Sequence, residues 1–159
     1  MDNKYIDEKD ISNIIEIRNE PHIYAFSTET IPNYIKVGDT FRPIEKRLSE
    51  WKKHFTHLKR LYPNKDEEAE SVAKVDDDIY FRDYEVHSYL KKNEFENLTE
   101  QDFNLLFNKS GKMYYSNEFF KNATQNDIRL AISDIKENYA NKSSIYKYFR
   151  LSNSNRISY

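Results

Sequence analysis

The sequence predicts an α+β domain: a small, mainly antiparallel sheet of about three strands, opened by a hairpin and flanked by helices. Three observations carry this. Two β-branched and aromatic runs, 22–28 and 34–38, lie close together with Pro32 between them, the spacing of a hairpin. Ile44, Leu48, Trp51 and Phe55 then recur at intervals of four, three and four, the period of an amphipathic helix. Ile128, Ala131, Ile132 and Ile135 form a second such stripe near the end of the chain.

Taken in order, residues 1–20 read as an N-terminal helical extension with Ile11, Ile14, Ile15 and Ile17 on its apolar side, ended by Pro21. The domain proper spans 21–140. The hairpin turn is expected near Thr30, which sets Tyr24 opposite Lys36 on one face. Strand alternation puts Tyr34, Lys36 and Gly38 on that face, and Ile35 and Val37 on the other. Pro43 suits the first turn of the next helix. Arg47 falls three residues after Ile44 and four before Trp51, so it is expected on the buried side, where an arginine needs a partner or a purpose.

The polar, acidic stretch 62–78 predicts an exposed loop or loose helix. A helix is expected from Ile79 to about Lys92, with Asp83 and His87 one turn apart on one face. Thr99 with Asp102 signals the start of a short helix through Phe107. A turn at 109–112 precedes a strand or strand-to-helix junction at 113–120, and Thr124 caps the last helix. The tail, 141–159, loses all periodicity from Tyr146 and is expected to be loose.

Composition narrows the function classes. The chain has 159 residues, enough for one domain with a core, and 15% aromatic residues argue against disorder despite a mean hydropathy of -0.95. The absence of cysteine excludes disulfides and thiolate zinc sites. No apolar run reaches membrane-spanning length and the first residues lack a secretory pattern, so a soluble, cytoplasmic protein is expected. A net charge of -2 counts against a simple nucleic-acid binder, yet Arg42, Lys46, Arg47, Lys52, Lys53, Lys59 and Arg60 gather basic charge in one stretch.

Tyr24, Lys36 and Arg47 come from a hairpin and the helix it feeds, so one point is within reach of a phenol, an ammonium and a guanidinium. These groups suit a phosphate diester: Tyr24 as proton acceptor beside the Lys36 cation, Arg47 holding the non-bridging oxygens with its fork of donors. A carboxylate, Glu118 or Asp83, would hold one divalent cation, Mg²⁺ or Mn²⁺. Lys52 and Lys53 suit a DNA backbone. Each residue also has a plainer reading: Lys36 as a guard against edge pairing, Arg47 in a salt bridge to Glu118 or Asp83, His87 as a core histidine.

In order and spacing these segments resemble the GIY-YIG nuclease superfamily, and within it the phage-T5-type branch. His22-Ile23-Tyr24 stands at the first motif, with histidine for its glycine. Lys36-Val37-Gly38 stands at the second, with lysine for its tyrosine. Gly38, Thr40, Arg42 and then Arg47 are similar to the branch's glycine-threonine turn and arginine helix. Asp83 to His87 and Glu118 to Phe120 resemble its acid-then-histidine helix and its late acidic-aromatic motif. Trp51 occupies a position usually held by histidine or tyrosine.

The resemblance implies a metal-dependent endonuclease acting on DNA. Its implied catalytic residues are Tyr24, Lys36, Arg47 and His87, its substrate contacts Gly38, Thr40 and Arg42, and its metal ligands Glu118 or Asp83. Related proteins carry such domains fused to helicase or restriction modules. The alternatives from the same residues are a non-catalytic nucleic-acid-binding module and a protein-interaction domain.

Overall fold

The hairpin dictates the architecture. In a computed structural model, which describes residues 20–107, 116–141 and 144–151, β1 (His22–Ser27) and β2 (Tyr34–Thr40) pair antiparallel as the two central strands. β3 (Lys59–Tyr62) flanks β1, and β6 (Phe119–Lys121) flanks β2, all antiparallel, in the order β3-β1-β2-β6. A second sheet joins β4 (Lys74–Asp76), β5 (Ile79–Tyr80) and β7 (Phe149–Arg150). The α+β class therefore holds, with more strands than the three expected. The segments 1–19, 108–115 and 152–159, with the helix, turn and tail end expected there, lie outside the described residues.

Central strands must be apolar on both sides, and Ile23, Tyr24, Ala25 and Phe26 are all buried. Ile23, Ala25, Ile35, Val37 and Phe120 form one core with α2 (Asp83–Lys92) and α4 (Gln125–Ala140). Tyr24, Phe26 and Phe119 form the other with Ile44 and Leu48 of α1 (Ile44–Trp51) and Phe103 of α3 (Glu100–Phe107). Helices thus cover both faces of the main sheet. The expected stripe of α4 is buried as a block, and Thr124 and Asp127 cap it reciprocally.

Four expectations are corrected. The hairpin pairs Tyr24 with Gly38 and Phe26 with Lys36, so its centre is Ile31, not Thr30. Tyr24 and Lys36 share a face diagonally instead of standing opposite each other. The cause is the burial of Ile31, which pulls the turn inward while Asn33 adopts φ 72, a left-handed conformation that asparagine tolerates.

The helix expected from Ile79 begins at Asp83, because Ile79 and Tyr80 are used as β5. Asp39 of β2 caps it from across the fold: its Oδ2 accepts from the Asp83 amide at 3.0 Å and from Arg82 Nε at 2.6 Å.

The stretch 62–78 is not loose either. It carries a 3-10 turn at Lys65–Glu67 and strand β4, and its acids hold the fold. Glu67 accepts from Arg129 Nη2 at 2.8 Å and Nε at 2.9 Å, and Glu68 accepts from Arg60 at 2.7 Å. Residues 146–151 of the tail are packed as well. The Tyr146 hydroxyl donates to Asp134 at 2.6 Å, the Tyr148 hydroxyl donates to the Ile135 carbonyl at 3.1 Å, and Phe149–Arg150 pairs with β5. No helix among the described residues is long and apolar enough to cross a membrane.

Candidate active site on the hairpin face

Gly38 creates the space. Tyr24, 1% exposed, lies directly across the ladder from it. A Cβ at position 38 would stand 2.5 Å from Tyr24 Oη, 2.7 Å from Tyr24 Cζ and 3.1 Å from Lys36 Nζ. Only a residue without a side chain lets the phenol and the ammonium settle over the strand.

Trp51, at the end of α1, donates its indole N–H to Tyr24 Oη at 2.7 Å. The tryptophan that departs from the expected histidine or tyrosine therefore has a definite contact. An indole can only donate, so the phenol keeps its own proton for another acceptor.

Lys36 is 2% exposed and its ammonium donates to Glu118 Oε1 at 2.5 Å. It also stands 4.5 Å from the Trp51 ring and 5.6 Å from the Tyr24 ring. β2 is an inner strand, so Lys36 guards no edge; it is a buried cation held by one carboxylate.

Arg47 differs from expectation. It is about one-third exposed and pairs with Glu50 at 2.9 Å on its own helix, not with Glu118 or Asp83. Its guanidinium also covers the Trp51 ring at 4.4 Å. Burial works against its charge, but the hydrogen bond to Glu50 and the nearness of Glu50 and Tyr24 outweigh burial and raise the arginine's pKa. Arg47 and Tyr24 are thus neighbours. Glu50 is shared with Arg42 at 2.7 Å, and hydrogen bonds from Arg42 and Arg47 lower its pKa to about 2.

Glu118 arrives from the far side of the hairpin. The Val37 amide donates to the Glu118 carbonyl at 2.9 Å, which extends the β2–β6 ladder and sets the acid beside the lysine. Asp83 and His87, one turn apart on α2, complete a group whose ligand atoms lie within 4.8 Å of one another: Asp83, His87 and Glu118. The two acids that compete in the sequence are brought to one point. His87 Nε2 lies 2.7 Å from the Val37 carbonyl, and since a carbonyl only accepts, Nε2 carries the proton and Nδ1 the lone pair. A second nitrogen tied to a backbone carbonyl is the usual way an imidazole is oriented toward a metal.

Burial shifts the two α2 members of this group, Asp83 and His87. Burial, then the charges of Asp39 and Glu118, push the Asp83 carboxyl up to about 7, against the pull of Lys36 and Arg82. Burial also lowers the His87 pKa, against the Val37 hydrogen bond. The carboxyl groups of Asp83 and Glu118 and the His87 imidazole are donor types that could hold a metal ion.

One consequence is measurable in the metal-free protein. Between about pH 4 and 7 the folded state binds the Asp83 proton that the unfolded chain has released, so stability falls as pH rises through that window. Asp83→Asn removes the effect and should stabilise the chain at pH 8 by about 2 kcal/mol, allowing for partial exposure. Thermal melts at pH 5 and pH 8 in chelator check this; equal shifts at both values would contradict it.

The remaining predicted residues sort by contact. Thr40 is buried and its hydroxyl accepts from the Arg42 amide at 3.0 Å, so it shapes the turn into α1. Arg42 is exposed beside Glu50, and Lys52 and Lys53 are exposed just past α1. Sequence reading missed Glu50, whose three-residue spacing from Arg47 was a usable signal, and Asp39, which had no local signal. A surface cavity of 480 Å³ lies elsewhere, lined in part by Glu20, Lys74, Asp76 and Lys136, and contains none of these groups. Comparison with protein-family models, curated proteins and solved structures gives no match for the chain.

Proposed function

We propose that the chain is a metal-dependent endonuclease of the GIY-YIG type, hydrolysing DNA phosphodiester bonds. One observation carries the reading: Tyr24, Lys36 and Arg47 are linked through Trp51 over Gly38, and Glu118, Asp83 and His87 close the same site. The electrostatic character of the group suits a reaction that builds negative charge on phosphate oxygens.

In this mechanism Arg47 leaves part of its fork to the non-bridging oxygens while Glu50 and the Trp51 ring hold its plane. Tyr24 hands its hydroxyl proton to solvent, and the resulting phenolate oxygen, fixed by the indole N–H and with Lys36 supplying positive charge close by, accepts the proton of the attacking water. The water oxygen bonds to phosphorus and the P–O bond to the leaving sugar oxygen breaks. Asp83, Glu118 and His87 would hold a divalent cation, which when bound supplies Lewis-acid stabilisation of the phosphate and leaving-oxygen charge. The exposed Lys52 and Lys53 extend the cationic surface for the DNA backbone. Cytoplasmic action on DNA belongs to this same reading.

Tyr24→Phe tests it. The substitution keeps the ring in its packing and removes only the oxygen. Nicking of supercoiled plasmid should fall by about 10²–10⁴-fold, while the unpaired Trp51 N–H costs about 1–2 kcal/mol in a thermal melt. Undiminished nicking would reject Tyr24 as the acceptor. A second reading, a non-catalytic DNA-binding module, is favoured by the net charge of -2 and by the pairing of Arg42 and Arg47 with Glu50. Salt-dependent DNA binding without cleavage would select it.

A further inference from the structure

We infer that His87 Nδ1 is a direct ligand of the cation held with Asp83 and Glu118, and that the site therefore selects Mn²⁺ over Mg²⁺. The inference deepens the nuclease reading and rests on it for the purpose of the cation, but not for the binding itself.

The ring is 8% exposed, and its Nε2–H is spent on the Val37 carbonyl at 2.7 Å. Its plane is held against Phe120, centroids 5.4 Å apart. Nitrogen and ring face are thereby both fixed, and Nδ1 makes no hydrogen bond to any described residue. A ring nitrogen of His87 and carboxylate oxygens of Asp83 and Glu118 lie within 4.8 Å of one another, and with Nε2–H spent on Val37 the lone pair available to a cation there is that of Nδ1. Glu118 spends Oε1 on Lys36, yet a carboxylate offers about four lone-pair positions, so its other oxygen serves a cation.

Donor chemistry then sets the preference. Mg²⁺ takes oxygen ligands and keeps several of its waters, so two carboxylates alone would suit it. An imidazole nitrogen in a fixed position adds a ligand that first-row transition ions accept more readily. A histidine that only braced the sheet through Val37 would leave the carboxylates as an all-oxygen site with no such bias.

The experiment is Mn²⁺ binding followed by electron paramagnetic resonance, with Mg²⁺ as competitor, on the full chain without DNA. Wild type should bind Mn²⁺ at least about 10-fold more tightly than Mg²⁺. Pulsed measurements should show a nitrogen coupling to the bound ion that changes when the histidines carry ¹⁵N. His87→Gln keeps a donor for the Val37 carbonyl and should lose the coupling and most of the preference; His87→Ala gives a second reading if the glutamine variant folds poorly. Equal affinities for the two ions, or bound Mn²⁺ without histidine nitrogen coupling, would overturn the inference. Metal-dependent plasmid nicking together with an absent coupling leaves the nuclease reading standing and removes this one. Coupling without nicking does the reverse.

Discussion

Arg47→Ala should reduce plasmid nicking by about 10²–10³-fold while the fold survives. The Arg47 side chain is about one-third exposed, and its ion pair to the similarly exposed Glu50 is of the kind that contributes under about 1 kcal/mol. Glu50 keeps Arg42 as a partner, so no charge is stranded. The loss should therefore fall on turnover, with circular dichroism and the melting temperature close to wild type. Arg47→Lys should restore little, because an ammonium cannot present two parallel donors to phosphate oxygens. Cleavage at the wild-type rate in Arg47→Ala would remove the arginine from the mechanism.

Glu118→Ala carries the largest expected effect on stability. Lys36 is 2% exposed and Glu118 is its ion-pair partner at 2.5 Å, so truncating the acid leaves a buried ammonium uncompensated. Breaking a buried pair from one side costs about 3–5 kcal/mol, and the 31% exposure of Glu118 places this case near the lower figure. A second substitution distinguishes this cause from damage to the backbone. In Lys36→Met/Glu118→Ala the charge is gone and an apolar chain of similar length packs beside Phe26 and Phe119, the residues paired with position 36. Most of the lost stability should return, measured as non-additivity in thermal or urea unfolding. Additive losses in the double variant would show that the pair is not what holds Lys36 in place.

The parts of the fold written locally were legible. The two runs of the hairpin, the Ile44, Leu48 and Trp51 stripe and the capped helix at Thr124 depend on side chains a few residues apart and are found in the structure, while Phe55 is buried in the same core but past the end of the helix. What escaped depends on distant contacts. The register moved because Ile31 is buried by the core, and α2 starts late because Asp39 caps it from another strand. β3 lies within a basic stretch at the edge of the sheet, with only Tyr62 buried, so it lacks the apolar signature of an inner strand. The ordered tail follows from Tyr146 and Tyr148 reaching α4, which no periodicity announces.

The site divides the same way. Tyr24, Lys36 and Arg47 were readable as neighbours because hairpin and helix are consecutive. Sequence left Asp83 and Glu118 as rival candidates for a cation ligand, since β6 brings residue 118 beside β2 from across the chain. The pairing of Val37 with Glu118, and of His87 with Val37, brings Asp83, His87 and Glu118 within 4.8 Å of one another. Trp51 read as a gap in the motif, and only its indole N–H on Tyr24 Oη shows what it contributes.

The most direct measurement is the conversion of supercoiled plasmid by the purified wild-type chain, with Mg²⁺ or Mn²⁺ and with a chelator. The account predicts nicked circles when either metal is present, none in chelator, and recovery when metal is returned in excess. Folded protein that binds the plasmid yet leaves it intact in both metals would contradict it.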